Sequence, residues 1–420
     1  MDVREQVELE AIEANRASSW LTDEAVAVAL EAAGALVRER RTAVLAANAS
    51  DYDAASRHLD EGTLDRLRLD ERRIETLAAQ VEATAAIEPL EREIGSRTLA
   101  NGLEVSERRI PIGTVGANFE ARPNVALDIA GQLLKSLNAA VLRTGGAALR
   151  TVNTLVDDVL RPALERAGLP PGAVGLVRTP DHEGARALVS LPRQIPLVIL
   201  RGSGETTAAL ARLAAENGVR ALAHAEGGGV LYVHESADRE RLLAIAEASL
   251  DRIGVCNRLN LALVDVRAPE GTLEALLALF ARLGLDVYGT PRAGSRADLL
   301  PLETRLGHEW ANDPDHTASV TVDLVDGLDE AVTLANQETS GLAAGIVAED
   351  ESAARAFLES YRGTAAAWNA STRFVDGFEL TSAPETGINV GREPGPRGPV
   401  TYRDLWLRQY RIVGDGTQKR

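Results

Sequence analysis

From about Glu5 to Glu91 apolar residues recur every three or four positions among Ala, Leu, Arg and Glu, with few glycines or prolines, which predicts a helical N-terminal region. The grain changes from Arg108. Short Val/Ile/Leu-rich runs, "RIPIGTVGANF", "AAVLRT", "AVGLVRT", "PLVILRG" and "GVLYVHE", alternate with segments of helical period, "VALDIAGQLLKSL", "TVNTLVDDVLRPALERAG" and "ETTAALARLAAENG". Such alternation predicts an α/β fold with a parallel, doubly wound sheet. A second series begins at Ser236: helix "ADRERLLAIAEASLDRIG" leads to strand "LNLALVDV", then helix "EGTLEALLALFARLG", strand "ASVTVDL", helix "GLDEAVTLANQ", strand "LAAGIVA", helix "ESAARAFLESY" and strand "TAAAWNAS". That is a second α/β lobe. The tail "PGPRGPVTYRDLWLRQYRIVGDG" ends in an alternating, aromatic stretch, either a sheet edge within the monomer or a strand added to a neighbouring subunit. The expected division is 1–232, 233–380 and 381–420.

Composition narrows the function. The 420 residues carry 45 basic and 62 acidic side chains, a net charge of −17 that repels phosphate backbones and anionic lipid. Nucleic acid and membrane are therefore not the expected partners; a small molecule is. No apolar run approaches the roughly 18 residues of a membrane span, and the N-terminus is too charged for a signal peptide, so a cytoplasmic protein is expected. The single cysteine, Cys256, can form neither an internal disulfide nor a thiolate cluster, which leaves a packing thiol or a reactive one. The six histidines show no metal-ligand spacing, and no metal is expected. Arginine replaces lysine except at Lys135 and Lys419, which draws attention to Lys135.

Five stretches carry candidate chemistry. "LRGSGETTAALAR" puts Arg201, Gly202, Ser203 and Gly204 between a strand and a helix, where bare backbone can approach a phosphate at the helix amino end; a plain βα turn has the same look. "AAVLRTGG" ends a strand with Arg143, Thr144, Gly145 and Gly146, and an arginine there either faces a ribose or 2′-phosphate or is solvated. "NFEARPNV" gathers Glu120, Arg122 and Asn124 around Pro123 at a helix start, which also suits an anionic substrate or an oxyanion. "GVCNR" places Cys256 in a helix-to-strand loop beside Asn257 and Arg258, where neighbouring positive charge favours a thiolate; burial as a small hydrophobe is the alternative. "WNASTRFVDG" strings Asn369, Ser371, Thr372 and Arg373 into a polar turn or a carboxylate-reading loop.

In this order the stretches resemble the gamma-glutamyl phosphate reductase (glutamate-5-semialdehyde dehydrogenase) family, a branch of the aldehyde dehydrogenase fold superfamily. The resemblance runs from about Arg109 to Asp415, and "EARPNV" and "NASTRF" are its specific motifs. It implies an aldehyde dehydrogenase-like fold with two doubly wound lobes and a C-terminal oligomerisation strand, hence a homodimer or homotetramer. It implies reduction of L-glutamyl 5-phosphate by NADPH in proline biosynthesis, with Cys256 as the acyl-accepting nucleophile and Asn124 with the Cys256 N–H at the oxyanion. It assigns Lys135, Arg143, Gly145, Arg201, Gly202 and Ser203 to the cofactor, and Glu120, Arg122, Asn257, Asn369, Ser371 and Arg373 to the substrate. The water-activating glutamate of aldehyde-oxidising relatives is replaced at its position by His224, with Glu226 two residues on. The chain departs from the family at Arg258 and Asn260 after the cysteine, at "TSGLAAGIV", at "GFELTSAPETGINV", at "WANDPDH", where Asp313 stands in for a ribose-gripping glutamate, and at Leu137, the family's glycine. These departures keep a different acyl substrate on the same scaffold as the alternative.

Overall fold

The computed structural model describes the chain apart from residues 1, 60, 203, 225, 226, 254, 295, 297, 303–317, 392–394 and 420, and apart from the side chains of residues 61, 62 and 224. It divides into two compact units, one of residues 1–225, 383–388 and 400–420, the other of 226–382 and 389–399.

The first unit opens with helices α1 (Val3–Ser18), α2 (Asp23–Glu39), α3 (Arg41–Ala55), α4 (Glu61–Leu67) and α5 (Glu71–Ala86), as the apolar spacing predicts. Side-chain caps fix several starts: Asp2, Thr22 and Asp70 each accept from a backbone N–H of the first turn. Next come β1 (Glu93–Thr98) and β2 (Glu104–Pro111), an antiparallel hairpin turned by Asn101-Gly102. The run "RIPIGTVGANF" is not one strand. Gly113, at φ 113°, splits it into the end of β2 and a separate β3 (Thr114–Phe119) in another sheet.

From β3 the chain alternates through α6 (Asn124–Lys135), β4 (Ala139–Thr144), α7 (Leu149–Leu155), α8 (Arg161–Arg166), β5 (Val174–Leu176), α9 (His182–Leu188), β6 (Leu197–Arg201), α10 (Gly204–Glu216) and β7 (Arg220–His224). The five strands are all parallel, in the order β5-β4-β3-β6-β7. One face packs on α2, α5 and α6, the other on α1, α9 and α10. The strand order reverses between β3 and β6, so their carboxyl ends form the switch point at which such sheets bind ligands.

The second unit runs through β8 (Gly229–Val233), α11 (Arg239–Ala248), β9 (Leu259–Asp265), α12 (Thr272–Arg282), β10 (Asp286–Gly289), β11 (Leu300–Pro301), β12 (Ser319–Val325), α13 (Leu328–Gln337), β13 (Ala343–Val347), α14 (Glu351–Ser360) and β14 (Ala365–Trp368). Its seven strands are parallel, ordered β11-β10-β12-β9-β8-β13-β14. Helices α11 and α12 cover one face, α13 and α14 the other. The run "GVLYVHE" thus belongs to this sheet, a correction to the expected boundary at 232: β8 pairs with β9 and β13. Short elements α15 (Gly377–Thr381), β15 (Gly387–Asn389) and β16 (Gly398–Val400) precede β17 (Trp406–Val413). Of the two readings of the tail, β17 takes the one within the monomer, pairing antiparallel with β2 over eight positions to complete a three-stranded sheet β1-β2-β17. Among the described residues no helix is long and apolar enough to cross a membrane.

Candidate active site

In the first unit, the candidates from "NFEARPNV", "AAVLRTGG" and "LRGSG" converge at the carboxyl ends of β3, β4 and β6. A Cβ on Gly202 would lie 2.7 Å from Glu120 Oε1, so the exposed Glu120 side chain rests against the bare Gly202 backbone at the switch point and would have to swing aside for any larger residue there. Two residues on, α10 starts at Gly204, its amino end at the same strand edge. Gly145 donates its N–H to the Phe119 carbonyl at 3.2 Å and has open space above its Cα. The Arg122 side chain is exposed. Bare backbone at a switch point ahead of a thirteen-residue helix fits the pyrophosphate of a dinucleotide. Ser203, Asp313 and Glu226 lie outside the described residues, as does the side chain of His224.

Two cofactor expectations are corrected or narrowed. Helix α6 runs back from the carboxyl edge of the sheet, so Lys135 at its far end reaches the opposite edge from Gly202. There its buried ammonium donates to the carbonyls of Ala85 and Ile87 at the end of α5, and burial pushes its pKa down. Lys135 is thus a structural group of the core. Arg143 is at the right edge but largely occupied: Nη1 donates to Asn118 Oδ1 at 3.2 Å, and Nη2 to the carbonyls of Pro180 and Asp181 at 3.1 and 3.2 Å. Burial lowers its pKa against the pull of Glu120 and Asp181, and Nε has no hydrogen-bond partner among the described residues.

One residue at this edge escaped the sequence reading. Asp128, one turn along α6, accepts from Asn124 Nδ2 at 3.1 Å, and loss of water raises its pKa to about 6 against the pull of Arg201 and of that hydrogen bond, with Glu385 adding to the rise. Arg201 in turn donates to the Thr386 carbonyl at 3.3 Å and stands 3.8 Å from Glu385. A single acid inside the apolar run "NVALDIAGQLL", four residues from a candidate amide, was the available signal.

In the second unit, Cys256 sits half-buried in the turn before β9, at the amino edge of the sheet. The three glycines 227–229 explain how the turn is held. A Cβ on Gly227 would lie 2.7 Å from both Cys256 Cβ and the Cys256 carbonyl oxygen; Gly228 donates to that carbonyl at 2.6 Å, and Gly229 to the Arg258 carbonyl at 2.7 Å. Backbone therefore lies directly on backbone beside the thiol.

The "NASTRF" loop is locked onto the same turn. Asn369 adopts a left-handed backbone (φ 51°) that turns the chain back over the sheet, carrying the Ala370 carbonyl over Gly345 and Thr372 against Gly229. Thr372 Oγ1 donates to the Asn257 carbonyl at 2.8 Å, and Ser249 Oγ to Ser371 Oγ at 3.0 Å. Buried Asn257 donates to the carbonyls of Arg373 and Val375 at 3.1 and 3.0 Å.

These contacts correct the expectation that the loop reads a carboxylate. The Arg373 fork is taken by Asp251, 2.7 Å from Nε, and by Asn257 Oδ1. The Asn369 amide is closed on both backbone groups of Ala348. The Ser371 hydroxyl also accepts from the Arg373 N–H. Arg258, expected beside the thiol, is buried with Nη1 donating to the Leu259 and Ser319 carbonyls, and burial lowers its pKa to about 10. Among the described residues no group of His, Cys, Asp and Glu is arranged to hold a metal ion.

Residues 74–287 match the aldehyde dehydrogenase family. A gamma-glutamyl phosphate reductase of Zymomonas mobilis is 34% identical over 386 residues, covering 90% of this chain and 88% of that protein. One from a Caulobacter species is 35% identical over 393 residues, 92% of each. The crystal structure of gamma-glutamyl phosphate reductase from Thermotoga maritima superposes with a TM-score of 0.90 at 26% identity, over 99% of this chain and all of that one. An acetylating aldehyde dehydrogenase from Geobacillus thermoglucosidasius shares the fold, at a TM-score of 0.69 and 18% identity over all of this chain and 98% of that one.

Proposed function

Because the chain belongs to the gamma-glutamyl phosphate reductases, within the aldehyde dehydrogenase family, we propose that it reduces L-glutamyl 5-phosphate to L-glutamate 5-semialdehyde and phosphate, a step of proline biosynthesis. The observation that carries the reading is the half-buried Cys256 in a turn clamped by Gly227, Gly228 and the 369–375 loop.

The Cys256 thiolate attacks the acyl carbon, the acyl–oxygen bond breaks, and phosphate leaves with its electron pair, giving a thioester. When bound, reduced nicotinamide dinucleotide, NADPH in this reading, supplies the hydride that makes the thioester a thiohemiacetal alkoxide. That alkoxide re-forms its carbonyl and expels the Cys256 thiolate, releasing the aldehyde. In this reading the Asn124 amide donates to the oxyanion; one such donor is typically worth about 3 kcal/mol. Gly202 and the amino end of α10 take the pyrophosphate, with Arg143 Nε and Arg201 flanking. Glu120 and Arg122 face the polar end of the substrate.

The protein works as a cytoplasmic homo-oligomer in this reading. Its support is β17, where Leu407, Tyr410, Ile412 and Val413 are each at least half exposed on an outer strand.

The test is steady-state turnover in reverse, with glutamate semialdehyde and NADP⁺. Turnover that requires phosphate, and that falls at least a thousandfold in Cys256→Ala, is the expected result; equal turnover without phosphate would overturn the assignment.

A further inference from the structure

Asp128 is a charged group that the reaction as written does not use, yet it touches one that it does. Its carboxylate Oδ2 lies 3.1 Å from Asn124 Nδ2, one helical turn apart on α6. An ionised carboxylate only accepts hydrogen bonds, whereas an amide offers two N–H groups at one end and a carbonyl at the other. The partner therefore dictates which way round the amide sits.

We propose that Asp128 is a positioning residue: as an anion it holds Asn124 by its Nδ2, so that one N–H is bound to Asp128 and the other is left to meet the oxyanion. This rests on the reading of Asn124 as an oxyanion donor. A neutral carboxyl removes the constraint, because its O–H can donate to Asn124 Oδ1 and let the amide turn over, taking both N–H groups away. The ionisation of Asp128 is set by groups from three directions: Asn124 on its own helix, Arg201 at the end of β6, which favours the anion, and Glu385 from the segment after α15, which opposes it. Loss of water dominates and brings the pKa to about 6. The anion is then the main form at neutral pH, and the latch fails within two pH units below it.

The experiment measures kcat and KM between pH 5 and 9 in wild type, Asp128→Asn, Asn124→Ala and the double variant, with circular dichroism to verify folding. Wild-type kcat is expected to fall on the acid side near pH 6. Asp128→Asn should lower kcat at pH 8 at least tenfold with KM within about twofold, and lose the acid limb. Asn124→Ala should lose the same limb, and the double variant should be no worse than Asn124→Ala alone. Should Asp128→Asn not fold, the disappearance of the limb in Asn124→Ala decides the matter by itself. Wild-type kcat and an intact limb in Asp128→Asn, with Asn124→Ala impaired, would overturn the positioning role and leave the donor role standing. Full kcat in Asn124→Ala would instead overturn the donor role itself, and the inference with it.

Discussion

The cysteine turn of the second unit and the strand-end cluster of the first are both rich in polar residues, but they use them in opposite ways. Around Cys256 the polar side chains bond one another and nearby backbone: Asn257 to carbonyls 373 and 375, Arg373 to Asp251 and Asn257, Asn369 to Ala348, Thr372 to the Asn257 carbonyl. Their product is a fixed backbone with one sulfur on it. At the ends of β3 and β6, by contrast, Arg122 and Glu120 are exposed, Arg201 donates to the Thr386 carbonyl and stands 3.8 Å from Glu385, and burial raises the pKa of Asp128. A motif of polar residues can thus be a scaffold or a binding surface, and only the partners of each side chain tell which.

The contrast breaks first at Gly227. Alanine there puts a Cβ against Cys256 backbone that cannot yield locally, so Gly227→Ala should cut kcat about a hundredfold, the scale of an ångström-sized displacement of a reacting group. A kcat within twofold of wild type would show the turn to be loose. Next comes a paired test. Asn257→Ala leaves buried carbonyls and the Arg373 guanidinium short of partners and should lose roughly 2–4 kcal/mol in chemical denaturation, whereas exposed Arg122→Ala should stay within about 0.5 kcal/mol and raise KM instead. Equal stability losses in the two would erase the distinction.

The pH dependence of stability sharpens it further. Asp128 has its folded pKa raised from 3.8 to about 6, so its protonated form is the one folding favours. Its contribution is present below the lower value, is lost as pH rises through the upper one, and amounts to about 3 kcal/mol. Asp128→Asn should therefore raise stability at pH 8 by something near that, even as it impairs kcat, and flatten the loss between pH 4 and 6. The smallest effect is expected at Leu137, whose φ of 60° is a strained setting for a branched side chain. Leu137→Gly relieves about 1 kcal/mol of strain but removes a side chain packed on the core, and a melt should show a net change under about 1 kcal/mol.

Hydropathy alone made the alternation of both units legible, because strands buried on both faces read as continuous apolar runs and their helices as a 3.6-residue period. It could not tell which sheet a strand joins: "GVLYVHE" looks like its predecessors, and the glycines that carry the chain into the second sheet leave no apolar signal. The β1–β2 hairpin escaped that pattern: its Asn101-Gly102 turn was the available signal, but its strands lie among charged residues on an exposed sheet, where alternation is weak. In the site, residue types and order pointed to the cysteine and the strand ends. They could not show that Lys135 lies a helix length from the Gly202 turn, nor that the "NASTRF" side chains close on the protein itself, since hydrogen-bond partners distant in sequence leave no local pattern.

The central claim is that Cys256 carries the acyl group between hydride transfer and phosphate. Rapid mixing of the enzyme with glutamate semialdehyde and NADP⁺ in phosphate-free buffer tests it directly. The account predicts a burst of one NADPH per subunit, then a stall with the acyl adduct on the Cys256 peptide, and steady turnover once phosphate is added. A burst that persists in Cys256→Ala, or linear turnover with no burst and no adduct, would contradict it.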